Sequence, residues 1–323
     1  MVDIIAAIMR IHVLALDGVF DSGLAALLDV FGTANELQPG EAPLRVQAVG
    51  MRRRVRTVQG FTVPVQPARA GPAPDVLVAP ALGTKTPETL QAALQRPDVR
   101  DAVSWLGEHA ERGTRLAAAC TGTFMLAASG ALNGLQATTT WWLAPLFRQL
   151  HPQVELDETR MLVPAGQIVT AGAAMAHLDL ALWLLRQHSP AAANLVAKYL
   201  VIDPHPSQAA YVIADHLSHA DPLIERFERW ARRHLTQGFS LAQAAHAAST
   251  SERTLARRLQ RVLGKTPLSY FQDLRVERAV HRLQTSRASV DTIANEVGYA
   301  DGVTLRTLLR RKLGRGVRDL RRR

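Results

Sequence analysis

Two short segments of this 323-residue chain carry the same side-chain chemistry. Ser251-Glu-Arg-Thr-Leu-Ala-Arg-Arg258 sets Arg253 and Arg257 on the helical face opposite Leu255 and Leu259, and Thr304–Lys312 does the same with Arg306 and Arg310. A guanidinium pairs bidentately with guanine, and a helix whose N-terminal turns enter the major groove can deliver it there. Ser251, Glu252 and Thr304 occupy those first turns. Arg258, Arg261, Arg311 and Lys312, with the tail from Arg318 to Arg323, are assigned to phosphates, which give affinity and salt dependence rather than base discrimination. A third candidate is Cys120, the chain's one cysteine, between the apolar run Leu116–Ala119 and Thr121-Gly122. A thiol at such an elbow lies at a strand end and a helix N-terminus, which lowers its pKa and exposes it.

The arginine segments belong to a repeat. Ser240–Ala248 superposes on Ser289–Val297 at an offset of 49, and Leu255, Leu259, Leu263 and Gly264 match Leu305, Leu309, Leu313 and Gly314 at an offset of 50. Helix, tight turn, helix, given twice, predicts a tandem helix-turn-helix domain. Pro267–Leu283 reads as one connecting helix of about 17 residues, roughly 26 Å long. That length could hold two recognition helices near one DNA turn apart, about 34 Å.

Upstream, Ile11–Leu16, Asp75–Ala79, Thr114–Ala119 and Gln167–Thr170 read as buried strands. Helical spacing marks Ser22–Ala34, Val99–Arg112, Gly122–Ala131, Trp141–Leu150 and Ala173–Arg186. This alternation predicts an α/β sandwich with a mostly parallel sheet, followed by the all-α domain. Sites in such sheets lie at the carboxyl ends of strands, here near Asp17, Pro80 and Cys120. The expected divisions are residues 1–188, a connection over 189–221 with one short helix, and 222–323.

Charge follows the same division. The chain has 38 Lys+Arg and 28 Asp+Glu, a net of +10, yet residues 222–323 hold 22 basic and 9 acidic side chains, a net of +13. Residues 1–221 are left at −3. An acidic partner of the last third is implied, not a uniformly cationic protein. With 47% hydrophobic and 20% charged residues the chain can pack cores. One cysteine excludes an intrachain disulfide and cysteine-rich metal sites, which points to a reducing cytoplasm. No apolar run is long enough for a membrane span, and Val2–Leu16 lacks a basic leader. The 11 histidines show no metal-ligand spacing, so neither metal nor cofactor is expected.

Ser251-x-Arg-Thr-Leu-x-Arg-Arg258, Gly264-x-x-Pro267 and Ile293-Ala-x-x-Val-Gly-Tyr299 resemble the AraC/XylS family of transcription regulators. Leu305 and Leu309 stand where that family usually has Phe, and Arg315-Gly316-Val317 where it has Ser-Pro. The segment Ala118–Gly134, with Thr138-Thr-Thr-Trp141, resembles the ThiJ/PfpI-like class I amidotransferase fold, and the combination resembles the GlxA branch of regulators. The resemblance implies double-stranded promoter DNA as partner, a homodimer, contact with RNA polymerase and a small-molecule effector such as an amino acid or amine. Enzymatic relatives carry His directly after the Cys and Glu in the first strand–helix loop; here those positions are Thr121 and Gly23. Thr139-Thr140-Trp141 lacks the His of Thr-Thr-His-Trp, and Ala81-Leu82-Gly83 replaces Gly-Gly. No catalysis is therefore expected. The predicted effector pocket is Asp17, Asp21, Ala81, Cys120, Thr121 and Thr140. A Cys120-dependent hydrolase or amidase, or a redox sensor, remains the alternative. His177 and Asp179, two apart on a helix, do not face each other and are read as structural, Trp141, Trp142 and Trp183 as core, and His205 as connection.

Overall fold

Strand β1 (Met9–Leu14) ends in four consecutive buried residues, the pattern of a strand covered on both faces. The computed structural model describes residues 8–38, 43–205, 207–211 and 221–321. The first residues of the apolar N-terminal stretch, 212–220 of the connection and 322–323 of the arginine tail lie outside the described residues. After β1 come helix α1 (Asp21–Leu37), β2 (Leu44–Gly50), the hairpin of β3 (Arg54–Arg56) and β4 (Thr62–Pro64), and β5 (Gln66–Pro67). Then follow β6 (Val76–Ala79), α2 (Pro87–Leu94), α3 (Pro97–Glu111), β7 (Arg115–Ala119) and α4 (Gly122–Ala128). β8 (Gln136–Ala137), α5 (Ala144–Leu150), β9 (Glu155–Leu156), β10 (Leu162–Ala165), β11 (Ile168–Ala171), α6 (Ala176–His188) and α7 (Pro190–Tyr199) follow, all but α5 belonging to the α/β unit.

The seven-stranded sheet runs β10-β11-β7-β6-β1-β2-β5 and is parallel except between β10 and β11. The expected α/β class holds. Ala48, Val13, Val78, Ala117 and Val169 lie in one register row across it. These small and β-branched side chains form a flat floor on which Leu27, Val30 and Phe31 of α1 and Leu180 and Leu184 of α6 are buried. The opposite face carries His12, Leu77 and Leu116 under α3 and α4. Helix α7, in the stretch read as connection, buries Ala192, Ala193 and Val196 in the same core and packs on α1 and α6.

The chain forms two compact units, Met1–Leu143 with His151–Gln208, and Ala144–Leu150 with Ala209–Arg323. In the second, α8 (Pro222–Arg233) precedes α9 (Leu241–Ala247) and α10 (Glu252–Leu263); α11 (Pro267–Thr285) leads to α12 (Val290–Glu296), α13 (Gly302–Leu313) and α14 (Val317–Arg321). Capping repeats with the sequence. Ser240 and Ser289 accept from the backbone three residues on, as do Ser251 and Asp301 before the second helix of each pair. Both second helices end on a left-handed glycine, Gly264 and Gly314, each at φ 65°. Leu305 and Leu309, where relatives have Phe, are fully buried beside Ile293 and Val297. Among the described residues no helix is long and apolar enough to cross a membrane.

Candidate nucleic-acid interface and effector site

Helix α10 buries Leu255, Leu259 and Leu263, so its remaining face must be polar, and Arg253, Arg257 and Arg261 are exposed on it. Helix α13 buries Leu305, Leu309 and Leu313 and exposes Arg306, Arg310 and Arg311. Two cations assigned to phosphates have carboxylate partners inside the unit. Arg258 Nε donates to Asp221, the N-cap of α8, and Lys312 Nζ to Asp273 of α11. Glu252 is exposed. Ser251 Oγ accepts from Thr254 N at 3.2 Å, and Thr304 N donates to Asp301 Oδ1 at 2.7 Å. These two residues build the helix starts. The bond from Thr304 N, ahead of other contacts, holds the Asp301 carboxyl below the usual range.

In the first unit, Cys120 has φ 55°, a left-handed elbow between β7 and α4. Gly122 lets this elbow press against β6: a Cβ there would lie 2.2 Å from Ala79 O. The elbow is as expected, but its thiol is not. Cys120 is buried, and burial pushes the thiol up to about 11, with the Thr121 backbone and the Thr140 and Thr121 hydroxyls pulling weakly the other way. Desolvation of a thiolate outweighs the partial charge of a helix only seven residues long.

Hydrogen bonds tie the loops after β1, β6 and β7 into one layer. Phe20 N donates to Ala81 O at 2.8 Å, Gly83 N to Gly18 O at 2.7 Å and Thr121 Oγ1 to Leu82 O at 2.6 Å. The β3–β4 hairpin joins them, since Asp17 accepts from Arg56 N and the Arg52 guanidinium, both at 2.8 Å, and Asp21 from Gln59 N at 3.1 Å. Five predicted pocket residues, Asp17, Asp21, Ala81, Cys120 and Thr121, thus come from this layer, and Thr140 adjoins the thiol. Asp17 is already occupied by its two donors.

Two buried side chains tie this layer together: His177, read from the sequence as structural, and Gln208, which the sequence did not single out. His177 Nε2 accepts from Ala81 N at 3.1 Å while Nδ1 donates to Ala174 O at 2.5 Å, which leaves the ring neutral. A Cβ on Gly23 would stand 2.7 Å from that Nε2. The imidazole therefore fills the space that a side chain at position 23 would need. Gln208, also buried, donates from Nε2 to Thr139 O at 2.9 Å and accepts from Ala173 N at 2.9 Å, in a slot left by Gly172. Thr139 in turn donates to Cys120 O at 2.6 Å. The Gly in the Glu position signalled the first; nothing local marks Gln208. His205 is more than connection, donating to Asp179 through N and Nδ1.

Burial brings the His177 imidazole down to about 4. Between pH 6.5 and 4 the unfolded chain takes up a proton that the folded site refuses, so stability falls as pH falls through that window. The loss should approach about 3 kcal/mol and level off below it. Urea unfolding at about pH 7.5 and about pH 4.5, for wild type and His177→Gln, measures the difference. An equal pH response in both would contradict this assignment.

Residues 9–187 match the DJ-1/PfpI family and residues 244–323 a helix-turn-helix domain. The HTH-type transcriptional regulator GbdR of Pseudomonas aeruginosa is 24% identical over 210 residues, 64% of this chain and 57% of that protein. The HTH-type transcriptional activator RhaS of Klebsiella pneumoniae is 32% identical over 109 residues, 34% of this chain and 39% of that one. An AraC family transcriptional regulator from Pseudomonas putida, known as a crystal structure, superposes with a TM-score of 0.50 at 18% identity, covering 59% of this chain and 99% of that one. That likeness concerns the fold alone. The matched segment spans little more than half the length of GbdR.

Proposed function

Since the chain belongs to the DJ-1/PfpI family and carries an AraC-type helix-turn-helix domain, we propose that it is a sequence-specific transcription regulator whose first unit senses a small metabolite without catalysis. The observation that carries this reading is the duplicated, identically capped arginine helix in a segment of net charge +13. Arg253, Arg257, Arg306 and Arg310 read base edges; Arg261 and Arg311 contact phosphates. Ser251 and Thr304 shape the helix starts, and Arg258 and Lys312 seat the helices on their supports. The protein acts as a cytoplasmic homodimer on promoter DNA, in contact with RNA polymerase, and an amine or amino-acid effector at the Cys120 layer changes promoter occupancy. The test is titration of duplexes selected by the chain from a randomised pool, at several salt concentrations. Affinity that ignores salt, or no selected sequence, removes the reading.

Absence of catalysis is supported by three occupied positions. His177 takes the Ala81 N–H that an oxyanion would need, Thr121 replaces the adjacent base and Gly23 the acid. The rival, a reactive Cys120, draws on the strained elbow alone. Alkylation by iodoacetamide at neutral pH should run at least about 100-fold slower in the folded than in the urea-unfolded protein, from the thiolate fraction alone. Rapid native labelling with substrate turnover would put the rival first.

A further inference from the structure

Arg275 leaves α11 at a point where the two helix-turn-helix halves meet. Its Nε donates to Leu235 O at 2.8 Å and its Nη2 to Gln237 O at 2.6 Å, both in the chain just after α8. The guanidinium carbon also lies 5.1 Å from the ring centroid of Tyr299, which follows α12. Backbone closes the same spot: Gly298, at φ 85°, would with a Cβ stand 2.4 Å from Leu235 O and 2.5 Å from Arg275 Nη2. A second bridge lies nearby on the same helix. Asp273 accepts from Lys265, in the turn that closes the first half, at 3.0 Å, and from Lys312 at the end of α13.

A connecting helix alone would join the halves only through the turns at its two ends, and each turn could act as a hinge. Arg275 and Asp273 each hold residues of both halves against α11, which removes that freedom. The planar fork of Arg275 does this in a way Lys cannot, since it makes two directed bonds while its face stacks on a ring. Inserting one base pair between two recognised blocks moves the second block by about 3.4 Å and rotates it by about 34°. A head with closed hinges cannot follow that displacement; a hinged one can.

We propose that Arg275, backed by Asp273, is a positioning residue that fixes the spacing and phase of the two recognition helices, so that the protein selects the number of base pairs between its two blocks as well as their sequence. This rests on the DNA-binding reading above. Neither residue touches DNA in this role.

The experiment uses the full chain and a duplex it selects from a randomised pool, alongside the same duplex with one base pair inserted or deleted between the blocks. Wild type should lose about 30-fold in affinity on the altered duplexes, the cost of misplacing one set of base contacts. Arg275→Ala should lose less than about threefold for the same insertion while preferring the same bases within each block. Arg275→Lys should fall between the two. Tyr299→Leu, which removes the ring that the second half offers Arg275 and leaves the Phe271 ring of α11 at 4.8 Å and both carbonyl bonds in place, should move in the same direction and serves if Arg275→Ala does not fold. A wild type that tolerates the insertion overturns the proposal. So do variants whose affinity drops equally on every spacing, the mark of a merely structural role. A wild type that selects no duplex at all removes the DNA-binding reading itself, a failure separate from these two.

Discussion

Replacing Arg253 and Arg257 together by Ala should cost at least about 100-fold in affinity for the selected duplex, because each bidentate contact to a base is worth about 1–3 kcal/mol. Unrelated DNA should be bound only severalfold more weakly, so most of the loss is loss of discrimination. Arg261→Ala should instead weaken binding to all sequences about equally and lower the salt slope by about one. The contrast is readable because none of the three guanidinium groups supports the fold. All are exposed on a helix whose buried face is Leu255, Leu259 and Leu263 and whose start is held by Ser251. Melting temperatures should shift little, as expected for surface substitutions. Arg258→Ala belongs to another class, since it strips Asp221 of a partner and should lower stability as well as binding. Fluorescence anisotropy across a salt series, with thermal melts, separates the three outcomes.

Gly23→Glu should destabilise the first unit by about 3 kcal/mol or more rather than restore the acid of enzymatic relatives. The clash begins at the β-carbon, 2.7 Å from His177 Nε2 and 2.8 Å from Cε1. The ring cannot swing aside cheaply, because both its nitrogens are bonded to backbone. Gly23→Ala should therefore already cost about 1–3 kcal/mol. In the His177→Ala background the same exchange should cost much less, a coupling that a double-mutant cycle on chemical denaturation would measure. Additive losses would show that the imidazole is not what excludes a side chain at 23.

The outlines of both units were legible because they depend on short-range patterns. Apolar runs marked β1, β6, β7 and β11, and the two offsets of the repeat marked the paired helices and their glycine ends. β2 is half-exposed and carries Arg45 and Gln47, so it lacked the apolar run that marks its neighbours. The Cys120 elbow was located correctly while its acidity was reversed, because location follows from sequence order whereas burial depends on three loops from distant strands. Arg258 and Lys312 are indistinguishable by pattern from their exposed neighbours. Their partners, Asp221 and Asp273, lie 37 and 39 residues away and are set by packing. Gln208 looked like an ordinary polar connector residue, and only the slot beside Gly172 makes it a buried tie. The short helix expected in the connection is there as α7, but its small residues Ala192 and Ala193 gave no sign that it belongs to the core.

The buried, protonated state of Cys120 also bears on how this molecule can be observed. With its one cysteine buried and that burial pushing the thiol up to about 11, the native chain should need no cysteine removal before a maleimide dye is attached elsewhere, provided the alkylation contrast above holds. A cysteine introduced on an exposed face, at Thr307 of α13 or Gln260 of α10, becomes the sole rapidly labelled position. Fluorophores or spin labels placed there one at a time would follow each recognition helix in an otherwise unaltered protein.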